Sequence, residues 1–138
     1  MKKFLLLLIL FLSSVTNINA ETKHVVSGKE DAKITIIVYE SLTCSHCANF
    51  HNNVYPKLKE DYIDTGLAKI EFRHFPLGAI AFNAAKIVQC KKNQSLEILH
   101  SLYSNQEEWV KGNTIEEANI HLKDYLKKEG FNVNFEKC

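Results

Sequence analysis

Apolar residues are concentrated in two runs that are typical of β-strands. Residues 34–39 are nearly all β-branched or aromatic and do not alternate with polar residues, which favours a central strand covered on both faces. Residues 67–75 form a second strong strand, and Pro76 closes it. A shorter apolar segment, residues 24–26, precedes the turn signal at 27–28. The pattern therefore predicts three strands.

The segment between the two strong strands has the four-residue spacing of an amphipathic helix, from residue 45 to about 62. The apolar positions of this segment are Phe50, Val54, Leu58 and Tyr62. Pro56 interrupts the pattern, so we expect a kink or a break near residues 54–55.

Three further helices are predicted after the second strand. An apolar stripe runs through residues 79–91, and Ser95 can cap a helix that extends towards Trp109. Thr114 and Glu117 have the spacing of a capping box and begin the last helix. The predicted order is β-β-α-β-α-α-α. Its βαβ unit should have parallel strands and a right-handed connection.

Residues 1–20 have the pattern of a secretory signal peptide. Two lysines precede an apolar core at residues 4–12, and a more polar stretch ends in a small residue. The core is nine residues long, whereas a membrane span needs about 20. A retained membrane anchor is the alternative, because Ile18 is not the small residue that a cleavage site prefers. We expect export, removal of the signal peptide and no stable membrane insertion afterwards.

Removal of residues 1–20 leaves 118 residues with 15 basic and 16 acidic side chains. This length suits one domain. The sequence has no basic patch or run, which argues against nucleic acid or anionic lipid as a partner. All four cysteines remain in the exported part, and an even count in an oxidising compartment favours disulfides.

Cys44 and Cys47 form a C-x-x-C motif where the first strong strand gives way to a helix. This context is a thiol–disulfide redox signature. If Cys44 takes the first helical position, unpaired backbone N–H groups and the helix dipole should lower the pKa of its thiol. Cys47, one turn further in, should resolve the mixed disulfide, and His46 can stabilise the Cys44 thiolate. A more stable thiolate makes the disulfide a stronger oxidant.

A structural zinc site is the main alternative use of the motif. It would recruit Cys44, Cys47, Cys90 and Cys138, or a histidine, in four-coordinate geometry. Zinc ribbons usually repeat C-x-x-C, which occurs once here, and haem attachment needs histidine where Ala48 stands. The motif therefore favours redox chemistry, and we expect no cofactor and no metal.

Two other titratable residues flank the motif. His51 lies four residues after Cys47 and could touch the site, although a polar helix residue is the simpler interpretation. Glu40 lies four residues before Cys44 and could transfer protons if it were buried near the sulfurs, but we expect a solvated strand end. The remaining histidines have no partner pattern and should be surface or satisfied residues: His24, His74, His100 and His121.

Cys90 and Cys138 have no C-x-x-C neighbour. An intramolecular disulfide between them would stabilise the helical region by about 4 kcal/mol in the chain-entropy model. Two unpaired thiols, or an intermolecular bond through Cys138, are the alternatives. We favour the intramolecular structural bond.

Four segments together resemble the DsbA-type branch of the thioredoxin superfamily, particularly its secreted bacterial members. They are S-L-T-C-S-H-C-A-N-F-H at 41–51, Y-P-K-L-K-E-D-Y-I at 55–63, F-R-H-F-P-L at 72–77 and A-x-x-A-A at 81–85. The resemblance implies an α/β thioredoxin-like fold, with residues 21–78 as its N-terminal part and 79–138 as an inserted helical region. It also implies periplasmic disulfide exchange with cysteines of exported proteins, and reoxidation by a membrane DsbB-like quinone reductase.

Carried over residue by residue, the resemblance makes Cys44 the attacking cysteine, Cys47 the resolving one and Ser45-His46 the tuning dipeptide. Some members of the family carry a second cysteine pair in the helical region, which supports a Cys90–Cys138 bond. Members commonly have proline where Ser45 stands, so the redox poise can differ.

The family continues past the helical region with a cis-proline loop, two strands and a last helix. Neither Pro56 nor Pro76 stands at the place of that loop. From the sequence we therefore expect a truncated member without the C-terminal strands and helix, which folds weakly because a sheet edge and an apolar face are left uncovered. A non-catalytic remnant or binding domain, and a disulfide isomerase or reductase with the same motif, are the alternative functions.

Overall fold

Three strands form one mixed sheet in a computed structural model, which describes residues 24–91, 93–135 and 137–138. The predicted signal peptide lies outside these residues. The strands are β1 (Val25–Ser27), β2 (Ile34–Glu40) and β3 (Ala68–His74). They lie in the order β1-β3-β2, with β1 antiparallel and β2 parallel to β3. The parallel β2–β3 pair joined by a helical segment is the predicted βαβ unit.

The central strand is β3, so the prediction that residues 34–39 form a central strand covered on both faces is wrong for the described part of the chain. Ile70 and Phe72 of β3 are fully buried, whereas Ile37 and Tyr39 of β2 are 46% and 63% exposed. Exposed and partly buried side chains alternate along most of β2, so one face of this strand is largely uncovered by the described part of the chain. An uninterrupted apolar run cannot reveal how many neighbours a strand has, because pairing depends on the other strands.

The helical segment at residues 45–63 alternates between two kinds of helix. It begins with α1 (Ser45–Asn49) and a π-helical turn at Phe50–Val54. It continues with α2 (Tyr55–Leu58) and a second π-helical turn at Lys59–Ile63. Pro56 lies in the first turn of α2. The predicted interruption therefore takes the form of a widened helical turn before the proline, which has no N–H to donate.

Four helices follow β3 where three were predicted. They are α3 (Ala79–Cys90), α4 (Ser95–Ser104), α5 (Gln106–Trp109) and α6 (Ile115–Lys128). The stretch from 95 to 109 divides at Asn105, so that Trp109 belongs to a separate single-turn helix.

The two predicted caps have different outcomes. Ser95 does not cap α4, since it is the first helical residue and its hydroxyl donates to the Lys91 carbonyl oxygen at 2.9 Å. Thr114 caps α6 as predicted, because its hydroxyl oxygen accepts from the Glu117 N–H at 3.2 Å. The Glu117 carboxylate accepts from the N–H of Asn113, one residue before the position that a capping box uses.

The core lies between the inner face of the sheet, the helical segment at 45–63 and α4, and it continues between α3, α4, α5 and α6. Trp109 is fully buried, and its indole N–H donates to the Leu102 carbonyl oxygen at 2.8 Å. The sulfurs of Cys90 and Cys138 are 2.08 Å apart, which joins the end of α3 to the segment after α6. Within the described residues no helix is long and apolar enough to cross a membrane.

Candidate functional site

The two cysteines of the motif lie where β2 ends and α1 begins. A turn at residues 41–44, closed by a hydrogen bond from the Cys44 N–H to the Ser41 carbonyl oxygen at 3.0 Å, connects the two elements. Leu42 anchors this turn in the core with 1% of its surface exposed. Cys44 is the N-cap residue of α1 and not its first helical residue. Cys44 and Cys47 are both half-buried free thiols.

The two thiols differ in their ionisation. Backbone and side-chain hydrogen bonds from Cys47 and the backbone N–H of His46 lower the pKa of Cys44. Burial raises the pKa of Cys47, and negative charge on Cys44 or Glu40 raises it further. The helix start therefore favours a thiolate at Cys44 and a protonated thiol at Cys47.

Glu40 is buried beside this pair, with only 2% of its surface exposed. Burial raises the pKa of its carboxyl group to about 8, and the Tyr103 hydroxyl opposes part of that rise. The expectation that Glu40 is a solvated strand end is wrong. The alternation of β2 directs its last side chain inwards, where the helical segment at 45–63 and α4 cover it.

His51 connects Glu40 to the helical region. Its Nε2 lies 2.7 Å from Glu40 Oε2, and its Nδ1 lies 2.9 Å from Nδ1 of His100. The ring is 4% exposed and stacks on Tyr103 with centroids 4.1 Å apart. Burial lowers the pKa of both His51 and His100 to about 4. The interpretation of His51 as a polar helix residue is wrong, and the residue takes part in a buried polar row.

Comparison with known proteins identifies the family. The family model described as Thioredoxin matches residues 19–138. This chain belongs to the thioredoxin family. The predicted thioredoxin-like α/β fold is confirmed.

Several relatives of this chain have names that refer to disulfide formation. The chain is 33% identical over 99 residues to a Rickettsia bellii protein named as a protein-disulfide oxidoreductase, covering 70% of this chain and 38% of that protein. A Bacillus cereus protein named disulfide bond formation protein D is 33% identical over 94 residues. The match covers 60% of this chain and 43% of the Bacillus cereus protein. The chain thus spans less than half the length of these curated relatives.

Solved structures of DsbA-type proteins are also similar to this chain. The crystal structure of Wolbachia pipientis α-DsbA1 superposes with a TM-score of 0.71 at 33% identity, covering 82% of this chain and 57% of that chain. Bacillus subtilis BdbD in its oxidised form has a TM-score of 0.57 at 25% identity, covering 78% of this chain and 68% of that chain. The resemblance to DsbA-type members of the thioredoxin family is confirmed.

His46 contributes to the site through its backbone. Its N–H lowers the pKa of Cys44, while its side chain is exposed. Within the described ranges its imidazole makes no hydrogen bond or ion pair. A tuning role for the ring stays a prediction.

Gln106 of α5 binds the cysteine turn from the helical region. Its side-chain amide donates to the carbonyl oxygens of Leu42 at 2.7 Å and Cys44 at 3.2 Å. Because both hydrogen bonds end on the turn at residues 41–44, they restrict the conformation of that turn. α5 therefore helps to hold Cys44 at the start of α1.

The structure does not assemble the alternative zinc site. The Cys90–Cys138 bond occupies two of the thiols that this alternative needs, and no group of three or more potential ligands is placed around one point in the described part of the chain. His74 is half-buried, both nitrogens of its ring lack a hydrogen-bond partner, and burial lowers its pKa to about 4. The expectation of a surface or satisfied residue is therefore wrong for His74, and also for His100, whose ring is half-buried with an unpaired Nε2.

Part of this site could be predicted from the spacing of residues in the sequence. Glu40 and His51 are four residues from Cys44 and Cys47 respectively, so their proximity to the motif could be anticipated. His100, Tyr103 and Gln106 belong to α4 and α5, more than fifty residues further along the chain. Only the packing of these helices against the βαβ unit brings them to the cysteines.

Proposed function

We propose that this chain is a DsbA-type protein thiol–disulfide oxidoreductase, which is exported and exchanges a Cys44–Cys47 disulfide with cysteines of folding exported proteins. The observation that carries this proposal is the pair of free thiols, Cys44 and Cys47, at the start of α1. Hydrogen bonds from Cys47 and His46 lower the pKa of Cys44 there, and burial raises the pKa of Cys47. Relatives and solved structures with disulfide-exchange names support the same class. The signal-like residues 1–20 support a periplasmic location.

The reaction starts from the Cys44–Cys47 disulfide. A substrate thiolate attacks Sγ of Cys44, the disulfide breaks, and Cys47 leaves as a thiolate that takes a proton from Glu40. A second substrate thiolate then attacks the substrate sulfur of the mixed disulfide and releases Cys44 as a thiolate. The substrate loses two electrons and two protons. The chain gains both electrons, and both substrate protons go to solvent. Cys47 holds the proton that Glu40 gave, and Glu40 regains one proton from solvent.

Glu40 suits the role of proton donor to Cys47. Its pKa of about 8 keeps it protonated at neutral pH, and the raised pKa of the Cys47 thiol favours transfer to that sulfur. In reoxidation the same carboxylate accepts the proton as Cys47 attacks the mixed disulfide on Cys44. A membrane quinone reductase of DsbB type is the partner proposed for that step.

The stabilised Cys44 thiolate favours net oxidation of substrates over reduction or isomerisation, because a stable reduced form makes the disulfide more oxidising. The Cys90–Cys138 bond has a structural role in this proposal, holding the segment after α6 against α3.

Oxidative refolding of a reduced, unfolded substrate protein tests the proposal. The wild-type disulfide form should accelerate refolding, and Cys44→Ala should abolish the acceleration. Cys47→Ala should instead trap a mixed disulfide through Cys44, which a remnant or a binding domain would not form. Equal behaviour of wild type and Cys44→Ala would show that catalysis is absent. Equilibration with glutathione separates an oxidant from a reductase.

A further inference from the structure

Glu40, His51 and His100 form a continuous buried row built from three different elements. Glu40 ends β2, His51 belongs to the π-helical turn at Phe50–Val54, and His100 belongs to α4. The row is joined by Glu40 Oε2 to His51 Nε2 at 2.7 Å and by His51 Nδ1 to His100 Nδ1 at 2.9 Å. Both nitrogens of His51 are therefore engaged, one on each side.

Proton counting leaves two patterns for this row when both rings are neutral. A neutral imidazole has one N–H donor and one acceptor nitrogen. If Glu40 is ionised, His51 donates from Nε2 to the carboxylate and accepts at Nδ1 from His100. If Glu40 is protonated, it donates to His51 Nε2, and His51 donates from Nδ1 to His100, which then carries its proton on Nε2.

The surroundings hold the rings in place and keep them neutral. His51 stacks on Tyr103 with centroids 4.1 Å apart, and His100 stacks on Tyr55 with centroids 4.5 Å apart. The titratable groups that face the row are these two tyrosines and three others, namely Lys59 near His100 and the thiols of Cys44 and Cys47.

The far end of the row is the nitrogen Nε2 of His100. This atom is itself buried and has no hydrogen-bond partner among the residues that the structure describes. Other atoms of the ring reach the surface, so a water molecule admitted beside the ring would complete the path from Nε2 to solvent. His51 Nδ1 and Nε2 are both occupied, so His100 Nε2 is the one nitrogen of the row at which a proton can enter or leave.

We propose that Glu40, His51 and His100 are a proton relay that carries protons between His100 Nε2 and the Glu40 carboxyl group. When Glu40 has given its proton to Cys47, a proton from solvent binds His100 Nε2. The Nδ1 proton of His100 moves to His51 Nδ1, and the Nε2 proton of His51 moves to Glu40 Oε2. One proton enters, one arrives at Glu40, and both rings end neutral with their tautomers exchanged. Reoxidation runs the same transfers in reverse.

The role of the relay in disulfide exchange rests on the proposed function. The relay itself can be tested without any substrate protein. It supplies the buried acid from the side of α4, so that proton return does not depend on the surface on which a substrate lies. His51 and His100 act through Glu40 and are positioning residues in this scheme.

Imidazole ¹⁵N NMR on the reduced wild-type protein tests the relay without any substrate. Across the titration of Glu40, the protonated nitrogen of His51 should change from Nδ1 to Nε2 and that of His100 from Nε2 to Nδ1, in one shared transition. A ¹⁵N–¹⁵N coupling across the hydrogen bond should join the two Nδ1 atoms at both ends of the titration. In Glu40→Gln the tautomers should stay fixed over the same pH range. Tautomers that do not respond to Glu40, or two rings that charge independently, would overturn the relay.

Kinetics of a matched pair of variants provides the second measurement. His100→Gln keeps a hydrogen-bonding partner for His51 but cannot pass a proton on, and His121→Gln changes an equally half-buried histidine on α6. At pH 9 Glu40 is mostly ionised and has to receive its proton through the row before it can protonate Cys47. Reduction of the Cys44–Cys47 disulfide by dithiothreitol at this pH should be roughly ten-fold slower or more in the first variant. It should be unchanged in the second, and the thiolate absorbance of Cys44 should be unchanged in both. An unchanged rate in a folded His100→Gln protein refutes the relay.

The relay and the proposed function fail separately. Exchange of tautomers in a protein that does not accelerate refolding supports the relay and contradicts the proposed activity on protein substrates. Fixed tautomers in a protein that does accelerate refolding contradict the relay alone.

Discussion

Glu40→Gln should make the protein more stable at neutral pH, because glutamine has the shape of the protonated acid and never carries its charge. The carboxyl group has an ordinary pKa of 4.5 in the unfolded chain, and burial raises it to about 8 in the folded protein. Each unit of difference corresponds to about 1.4 kcal/mol. At pH 7 the unfolded state has released this proton and the folded state still holds it, which disfavours folding by about 3 kcal/mol.

The sign of the pH dependence follows from the proton counts. Below pH 4.5 both states hold the proton and Glu40 causes no penalty. Between pH 4.5 and about 8 the folded state binds more protons, so stability falls as pH rises, by about 1.4 kcal/mol per unit. Above pH 8 the penalty is constant. His51 and His100, whose pKa values are lowered to about 4, have the opposite effect, since their neutral forms stabilise the fold above pH 6.5 and this contribution is lost as pH falls towards 4.

The assay is urea unfolding of wild type and Glu40→Gln at a series of pH values from 4 to 9, analysed as the difference between the two curves. Contributions that both proteins share largely cancel in that difference, which should grow from its value at pH 4 by about 3 kcal/mol at pH 7. Glu71→Gln is the matched control, because Arg73 lowers the pKa of Glu71. Wild type should therefore gain stability relative to this variant as pH rises through the acidic range, which is the opposite sign to Glu40→Gln. A flat difference curve for Glu40→Gln would refute the assignment of a buried, protonated acid.

Three further predictions concern the cysteines and their support. In the reduced protein, iodoacetamide should alkylate Cys44 at a pH well below that needed for Cys47, because the pKa of the first thiol is lowered and that of the second is raised; mass spectrometry after a timed quench measures this. Gln106→Glu should raise the pKa of Cys44, since a carboxylate would replace the amide that donates to the turn carbonyls; the thiolate absorbance measures this. Replacing Cys90 and Cys138 together by alanine should lower the free energy of unfolding by about 4 kcal/mol, measured in urea, with the reactivity of Cys44 unchanged.

Each of these predictions has a control or a contrary result. Equal alkylation of the two thiols at neutral pH would contradict the asymmetry. Gln89→Glu adds the same charge on α3, and an equal change of the Cys44 pKa in both variants would show a general charge effect instead of the loss of the hydrogen bonds from Gln106. A stability unchanged by removal of the Cys90–Cys138 bond would contradict its structural role.

The sequence was sufficient to predict those features that depend on interactions between residues close together in the chain. The β-branched run at 34–39 specified β2, and the apolar positions of residues 67–75 before Pro76 specified β3. The Thr114 cap specified the start of α6, and the strand–C-x-x-C–helix order placed the cysteines at a helix start. These features depend on interactions within a few residues. The thioredoxin-like fold followed from them together with the family resemblance.

Long-range packing decided the rest. Whether β2 is central or at an edge depends on which strands pair with β3, and the environment of Glu40 depends on α4 lying over the end of β2. The side chains of His100 and Gln106 reach the site across sequence separations of about 50 to 60 residues, for which no local pattern exists.

The sequence by itself therefore determined where the two reactive sulfurs are and how the helix start favours a thiolate at Cys44. The tertiary structure decided that Glu40 is a buried acid and that His51 and His100 adjoin it. The physical reason is that a helix start polarises its first residues through their own backbone, whereas the pKa of a carboxyl group follows from how much water the whole fold removes.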